Sequence, residues 1–264
     1  MTRPIVALLT DFGTRDHYAG TLKGVVLSVC PEATVVDIAH DLPAHDVLSG
    51  ALELAACYRY FPHGTIFLVV VDPGVGSSRR GLAADVGDYR FVAPDNGVLS
   101  AVFHESPPKK VVELTERKYA RPTVSRTFEG RDRFAPAAGF LAKGVALVSM
   151  GKSLANYQIL DLPLAIVDGG ELCGQIVRVD RFGNLISNID RRTFEQFSGG
   201  AALAVEAGGK EIPRIVATYA EAPINELCAL FGSTDHLEIA INAGDAAAAL
   251  QLGRGAVVKV ALVR

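Results

Sequence analysis

The run Ile66–Gly76, with the sequence IFLVVVDPGVG, combines a strand with the turn that ends it. Its residues through Val71 are all apolar, and a short continuous apolar run is typical of a strand buried on both faces of a parallel sheet. Asp72 and Pro73 end the run, and the glycines that follow indicate a tight turn. The stretch therefore predicts a central strand over Thr65–Val71 with a carboxylate at its carboxyl end.

Strands and helices alternate on either side of this run. Upstream, Ile5–Leu9 and Thr34–Ile38 are strand-like, and apolar residues at helical spacing predict helices over Ala19–Val29 and Asp46–Tyr60. Downstream, we predict strands over 82–86, 90–92 and 110–114 and helices over 96–103 and 131–141. This alternation predicts an α/β domain whose central, mostly parallel sheet is covered by helices.

The pattern changes after about Leu162, where Gly169-Gly170 interrupts the chain. Helical periodicity becomes sparse there and is confined mostly to Ala246–Leu250. Strand-like segments follow at 174–179, 185–188, 202–205, 214–219, 237–241 and 256–263. We therefore predict an N-terminal α/β domain over residues 1–163 and a C-terminal, mainly antiparallel β domain over residues 169–264.

The composition is that of a globular protein and argues against several function classes. Of 264 residues, 49% are apolar and 21% are charged, and the net charge is −3. No Lys/Arg run points to nucleic acid, and the apolar runs are too short to span a membrane. The cysteines, Cys30, Cys57, Cys173 and Cys228, form no C-x-x-C pair, which favours buried reduced thiols over zinc or disulfides. Because we see no signal-peptide pattern, we expect a cytoplasmic protein.

Polar residues stand at the carboxyl ends of the first three predicted strands. Asp11 follows the first strand, His40 and Asp41 follow the second, and Asp72 follows the third. Because the carboxyl ends of parallel strands share one edge of a sheet, we expect these side chains to face one crevice. No G-x-x-x-x-G-K-[ST] loop is found, and Arg79 stands where a G-x-G-x-x-G motif needs its third glycine. The acidic strand ends therefore favour ribose hydroxyls or a cationic ligand over phosphate.

Six short motifs follow one another along nearly the whole chain. They are LTDFG at Leu9–Gly13, VVDPGVG at Val70–Gly76 with Arg79, APDNG at Ala93–Gly97, TF at 127–128 with GRD at 130–132, DRFGN at Asp180–Asn184, and Ser233 with LEI at Leu237–Ile239. Each motif alone is a weak signal. In this order they resemble the S-adenosyl-L-methionine hydrolase (hydroxide adenosyltransferase) family, whose relatives include fluorinating and chlorinating enzymes.

The resemblance implies an activity and an assembly. Such an enzyme cuts S-adenosyl-L-methionine at C5′ with water and releases adenosine and L-methionine, with neither a metal nor another cofactor. The resemblance also implies the predicted two-domain fold. Finally, it implies a homotrimer in which each active site lies between the N-terminal domain of one subunit and the C-terminal domain of the next.

The same resemblance assigns substrate contacts in both predicted domains. The implied contacts are Asp11 with the ribose hydroxyls, Phe182 and Asn184 with the adenine, Asp180 and Ser233 with the methionine ammonium and carboxylate, and Glu238 with the backbone near Ile241 at the rest of the nucleoside pocket. The halogenating relatives lack an Asp at position 72. Asp72 therefore implies water rather than halide as the nucleophile.

One position departs from the family pattern. The family's hydrolases place an Asp, an Arg and a His around the attacking water. Asp72 and Arg79 match the first two, whereas Glu129 stands at the position of the His. A carboxylate there makes the cluster more negative by one charge, and one of two neighbouring carboxyl groups then has a raised pKa. We therefore expect Asp72 and Glu129 to act as a coupled catalytic pair that Arg79 holds together.

Two other functions stay open at this point. Loss of catalysis at Glu129 would leave a binding module for S-adenosyl-L-methionine or adenosine. A metal-dependent hydrolase would have to use Asp11, His40, His45 and Asp72, which show neither an H-E-x-x-H motif nor a comparable ligand spacing. The sequence favours the metal-free hydrolase over both.

Overall fold

The structure is a computed structural model that describes residues 3–263. Its internal contacts divide the chain into two compact units, Met1–Leu162 and Pro163–Arg264. Each unit has a hydrophobic core of its own. Within the described residues, no helix has the length and apolar character needed to cross a membrane.

The N-terminal unit is built on one mixed sheet. Within residues 3–162 its strands are β1 (Ile5–Thr10), β2 (Thr34–Ala39), β3 (Ile66–Val70), β4 (Gly81–Val86), β5 (Tyr89–Pro94), β6 (Lys110–Leu114) and β7 (Gly151–Ser153). They lie side by side in the order β2-β1-β3-β5-β4-β6-β7. The strands β2, β1, β3 and β5 pair in parallel, whereas the pairs β5–β4, β4–β6 and β6–β7 are antiparallel.

The sheet is less parallel than the sequence predicts because β4 and β5 form a hairpin. Only Gly87 and Asp88 connect the two strands, and Gly87 adopts a φ of +57°. So short a connection joins antiparallel neighbours, since a parallel return needs a crossover of about a dozen residues or more. The α/β architecture is therefore confirmed, but only the half of the sheet around β1 and β3 is parallel.

Helices cover both faces of this sheet. They are α1 (Tyr18–Val29), α2 (Val47–Cys57), α3 (Ser100–Glu105) and α4 (Ala135–Ala142). Alternate residues of β3 enter two cores, with Leu68 and Val70 packed beside α1 and α4, and Phe67 and Val69 packed beside α2 and α3. Every residue of β3 is buried, so the prediction that this strand is buried on both faces is confirmed.

The C-terminal unit is an antiparallel sheet. Within residues 163–263 its strands are β8 (Ile166–Asp168), β9 (Glu171–Val179), β10 (Leu185–Asp190), β11 (Leu203–Ala207), β12 (Lys210–Ile212), β13 (Leu227–Phe231), β14 (His236–Ile241) and β15 (Val257–Leu262). Their order is β12-β11-β15-β9-β10-β14-β13, with β8 paired to β9, and every pair is antiparallel. The mainly antiparallel β architecture predicted for this half is therefore confirmed.

Two details of this unit differ from the sequence prediction. The predicted strand at Arg214–Tyr219 is wrong, because Pro213 leads into a segment that makes only an isolated bridge to β13 and then a 3₁₀ turn, Tyr219–Glu221. A helix, α5 (Arg191–Ser198), was not predicted. It is only eight residues long and mostly polar, and just two apolar side chains, Phe194 and Phe197, pack on the core, which is too few to predict a helix, although Asp190 caps its first turn. The predicted helix over Ala246–Leu250 is confirmed as α6.

Candidate active site

The parallel half of the N-terminal sheet brings two of the predicted acids to one cavity. Asp11 follows β1 and Asp72 lies just beyond the end of β3, and these two strands are direct neighbours. Both acids line a cavity of about 240 Å³. Its walls are Asp11, Phe12, Tyr18, Ala44, His45, Val70, Asp72, Val75, Thr127, Phe128, Glu129 and Gly130. The predicted crevice is therefore present for Asp11 and Asp72, whereas His40 and Asp41, which follow β2, do not line it.

Asp72 is held by Arg79 from the far side of a compact turn. Arg79 donates from Nε to Asp72 Oδ1 at 2.8 Å and from Nη2 to Oδ2 at 2.5 Å. The turn between them is closed by backbone hydrogen bonds from Val75 to Asp72 and from Ser77 to Gly74. Both side chains are nearly buried, at 5% and 9% exposed. This bidentate pairing fixes the plane of the Asp72 carboxylate.

Glu129 reaches the same guanidinium from a distant part of the chain. It stands just before a short π-helical turn, Gly130–Phe134, that continues into α4. Its Oε2 lies 2.5 Å from Arg79 Nη2, and its side chain is 12% exposed. The structure therefore brings Asp72, Arg79 and Glu129 together, as expected from the sequence.

The charges around Asp72 perturb its titration. Burial raises the pKa of Asp72, the hydrogen bonds and charge of Arg79 oppose the rise, and the negative charge of Glu129 adds to it. The balance lies above the ordinary value of an aspartate. A carboxylate of this kind is better suited to accept a proton from water than an ordinary surface aspartate.

The segment that carries Glu129 is clamped by Asp132, which is fully buried. Arg131 donates to both carboxylate oxygens of Asp132, at 2.7 and 2.8 Å, and the backbone N–H of Ser125 donates at 2.8 Å. Burial alone would raise the pKa of Asp132, but these hydrogen bonds outweigh it and lower the pKa. Asp132 is thus structural, and it holds the loop before Glu129 in place.

Three aromatic rings form an apolar wall that the sequence reasoning missed. The Phe12 and Phe128 centroids are 5.9 Å apart, and Tyr18 lies 5.8 Å from Phe12 and 5.2 Å from Phe128. All of these residues line the cavity. Phe12 and Phe128 are parts of the quoted motifs, but their contact with Tyr18 depends on how α1 packs, which no local pattern reveals.

Two histidines considered as metal ligands have different surroundings. His45 lines the cavity, and its backbone N–H donates to Asp11 Oδ2 at 2.8 Å although its φ is +67°. His40 is buried, with Nδ1 2.8 Å from Thr10 Oγ1 and Nε2 3.0 Å from Asp37 Oδ1. Both ring nitrogens of His40 therefore face partners within the N-terminal unit, Thr10 and Asp37. Across residues 3–263, no group of three or more His, Cys, Asp or Glu side chains has an arrangement that could hold a metal ion.

In the C-terminal unit, Asp180 organises the turn between β9 and β10. Its Oδ1 accepts hydrogen bonds from the backbone N–H groups of Phe182 and Asn184, and its Oδ2 accepts one from Asn184 Nδ2, each at 2.9 Å. Asn184 is buried, whereas the Phe182 side chain is 75% exposed. The structure thus brings together three residues predicted to contact the substrate, Asp180, Phe182 and Asn184, and leaves the ring of Phe182 exposed.

Glu238 lies near this turn with a partner that the sequence did not reveal. The Tyr219 hydroxyl donates to Glu238 Oε2 at 2.7 Å. Burial raises the pKa of Glu238, the Tyr219 hydrogen bond opposes the rise, and the nearby charge of Asp180 adds to it. Burial and the same hydrogen bond raise the pKa of Tyr219 as well. Tyr219 belongs to the segment wrongly predicted as a strand, so its side-chain direction was not deducible.

The remaining predicted contacts lie at the two ends of β14. Ser233 is exposed in the turn between β13 and β14. Ile241 is the last residue of β14, and its carbonyl accepts a hydrogen bond from the Gly244 N–H at 3.0 Å. These two positions are thus separated by the length of the strand, with Glu238 between them.

Comparison with known proteins matches both halves of the chain. The sequence profile of the SAM hydroxide adenosyltransferase N-terminal domain matches residues 6–151, and that of the C-terminal domain matches residues 174–259. An (R)-S-adenosyl-L-methionine hydrolase of Thermus thermophilus is 37% identical, over 98% of this chain and 99% of its own length. A fluorinase of Actinoplanes sp. is 30% identical, over 97% of each chain.

A solved structure gives the same result. The crystal structure of an uncharacterized conserved protein from Thermotoga maritima is similar with a TM-score of 0.92 and 34% sequence identity, covering 97% of this chain and 99% of that chain. Sequence profiles, full-length relatives and fold therefore agree. The chain belongs to the SAM hydroxide adenosyltransferase family.

Proposed function

We propose that this chain hydrolyses S-adenosyl-L-methionine to adenosine and L-methionine by attack of water on C5′. The observation that carries the proposal is the nearly buried trio of Asp72, Arg79 and Glu129. Its two carboxylates, Asp72 and Glu129, line one cavity together with Asp11. Relatives named (R)-S-adenosyl-L-methionine hydrolase, 33–37% identical over nearly the whole chain, support the same reaction.

The reaction depends mainly on a correctly positioned water, because the sulfonium is already a good leaving group. The water oxygen forms a bond to C5′ from the side opposite sulfur, and the C5′–S bond breaks with its electron pair going to sulfur. The sulfonium thereby becomes the neutral thioether of methionine, so no metal or redox cofactor has to activate the leaving group. Correct placement alone can supply up to about 7–11 kcal/mol of the barrier in ideal cases.

Asp72 and Arg79 divide the remaining work. Asp72 takes the proton that the attacking water loses and later passes it to solvent, a role that suits its raised pKa. The guanidinium of Arg79 keeps Asp72 oriented and places a positive charge near the developing hydroxide. Glu129 raises the basicity of Asp72 through its own negative charge.

We propose the substrate contacts in the same terms. Asp11, fixed by the N–H of His45, accepts from the ribose hydroxyls. The exposed ring of Phe182 stacks on the adenine beside Asn184. Asp180 and Ser233 bind the ammonium and carboxylate of the methionine part, and Glu238 and the backbone near Ile241 complete the nucleoside pocket.

We also propose that the two units are separate domains of a homotrimer whose sites are shared between subunits. The cavity of about 240 Å³ in the N-terminal unit is smaller than the roughly 300–1,000 Å³ usual for sites that enclose a ligand of drug-like size. A further protein surface is therefore needed to enclose S-adenosyl-L-methionine. In the C-terminal unit the exposed Phe182 and its turn have the groups that such a surface requires.

A second candidate is a binding protein for S-adenosyl-L-methionine that has lost catalysis. The specific observation in its favour is Glu129, which stands where the family's hydrolases have a His. This candidate predicts ligand binding with no release of methionine. Both candidates therefore bind S-adenosyl-L-methionine, but only the hydrolase forms adenosine and methionine from it.

The deciding experiment is a chromatographic assay of purified protein with S-adenosyl-L-methionine in ¹⁸O-labelled water. We expect equal amounts of adenosine and methionine, the label at the 5′ oxygen of adenosine, and no effect of a chelator. Asp72→Asn should lower the rate by about 10²–10⁴-fold. The matched control is Asp95→Asn, because Asp95 is also buried and paired with an arginine, Arg80, but does not line the cavity. Binding without products would instead establish the second candidate.

A further inference from the structure

The carboxylates of the proposed site outnumber the one arginine assigned to them. Arg79 already forms a bidentate pair with Asp72, and the same Nη2 lies against Glu129 Oε2. Glu129 Oε2 is buried and makes no hydrogen bond of normal geometry. A single guanidinium cannot balance two nearly buried carboxylates, so an ionised Glu129 requires a second positive charge.

Arg133 supplies that charge from the next turn of the same helical segment. Its Nη1 donates to Glu129 Oε1 at 3.3 Å, the i,i+4 spacing at which Glu and a basic residue face each other on a helix. Its Nη2 donates to the carbonyl of Leu114, the last residue of β6, at 2.9 Å. The side chain is 23% exposed, so solvent screens the pair only in part.

We propose that Arg133 is a positioning residue for the hydrolysis, one that holds the Glu129 carboxylate turned toward Arg79 and places a second positive charge beside it. The inference rests on the proposed function. Asp72, Arg79, Glu129 and Arg133 then form a chain of alternating charges whose formal sum is zero. Arg133, four residues after Glu129, thus compensates the extra negative charge that Glu129 brings.

The other groups facing this cluster do not replace Arg133. The segment after β3 contributes Asp72 and Arg79, and the helical segment contributes Arg133. The ionisable groups on the remaining walls of the cavity are Asp11, Tyr18 and His45. None of these side chains carries a permanent positive charge. Arg133 is therefore the charge that balances Glu129.

Removing Arg133 should change the pH dependence of the hydrolysis rate and not only the magnitude of that rate. Without it, two carboxylates share one guanidinium, and one of them holds a proton to higher pH. In Arg133→Met we expect the acidic limb of the kcat/KM profile to move up by about one pH unit. Arg133→Lys should restore most of the wild-type profile, since it keeps the charge.

Arg121→Met is the matched control, because Arg121 approaches the neighbouring carboxylate Asp132, at 3.4 Å, and not Glu129. Its acidic limb should stay in place. In Glu129→Gln protein, Arg133→Met should produce no further shift. An unmoved limb, or a loss that is uniform over pH and not rescued by Lys, would overturn the proposal for Arg133. A wild-type protein that releases no adenosine would remove the proposed function, and the role of Arg133 with it.

Discussion

At Glu129 a single carboxylate changes the chemistry expected of the site. Its negative charge raises the pKa of Asp72, and its two oxygens face Arg79 and Arg133. Glu129→Gln keeps the size of the side chain but removes the charge, so Asp72 becomes a weaker base. We expect turnover to fall at least about tenfold while S-adenosyl-L-methionine still binds. Steady-state rates and calorimetric binding on the same preparations would check both.

The pH profile of Glu129→Gln provides an internal check. Because the negative charge of Glu129 raises the pKa of Asp72, its removal should move the acidic limb of the rate profile to lower pH. Arg133→Met should move the same limb in the opposite direction. Near-normal turnover of Glu129→Gln with an unmoved limb would show that the two carboxylates do not act as a pair.

At the level of elements, the site depends on the close approach of two loops. Gly76 adopts a φ of +78°, and a Cβ on it would lie 2.3 Å from the carbonyl oxygen of Arg126, in the loop before Glu129. Gly76→Ala must therefore push the Asp72 loop away from the Glu129 loop. We expect turnover to fall more than about tenfold, since displacements near 1 Å in catalytic groups have effects of this size.

The matched control for this change is Gly64→Ala. Gly64 has a similar φ of +86°, but a Cβ there would meet nothing within 4 Å. It should lose about 1 kcal/mol of stability from the left-handed backbone alone and keep its turnover. Equal activity losses in the two variants would show that backbone strain, and not the approach of the loops, limits the site.

The clamp at Asp132 should be visible as a pH-dependent stability. The pKa of Asp132 is lowered in the folded protein, so its contribution is present above the unfolded pKa of about 3.9 and is lost as the pH falls through the folded pKa. Asp132→Asn should cost about 2 kcal/mol at pH 7 and progressively less as the pH falls below about 3.9 and through the folded pKa. Asp235→Asn, at an exposed pair with Arg191, should cost well under about 1 kcal/mol. Thermal unfolding at pH 7 and at acidic pH tests the clamp. An equal loss of stability for Asp132→Asn at the two pH values would contradict it.

The elements also show where sequence reasoning reaches its limit. The apolar run at β3 and the acids after β1 and β3 were predictable, because burial on both faces and a shared strand edge follow from local pattern. Strand order was not, since the hairpin of β4 and β5 places β5 and not β4 beside β3. Glu129 was located by motif, but Arg133 and Tyr219 were not, because their roles depend on side-chain directions set by packing.

For the molecule as a whole, the proposed residues fall into two sets, with Asp11, Asp72, Arg79 and Glu129 in one compact unit and Asp180, Phe182, Asn184, Ser233, Glu238 and Ile241 in the other. A homotrimer with shared sites would have a mass three times that of the chain in light scattering. It would also allow complementation, because each site would take its two halves from different subunits.

Mixing two inactive variants tests this arrangement directly. Asp72→Asn damages the N-terminal set, and Phe182→Ala with Ser233→Ala damages the C-terminal set. When the two are unfolded and refolded together in equal amounts, about a quarter of shared sites receive both intact halves by random assembly, so about a quarter of wild-type activity should return. Sites built within one chain would regain none, since every chain carries a defect. The control is the same mixture of separately refolded variants, whose activity should stay at the level of the two single variants unless assembled oligomers exchange subunits.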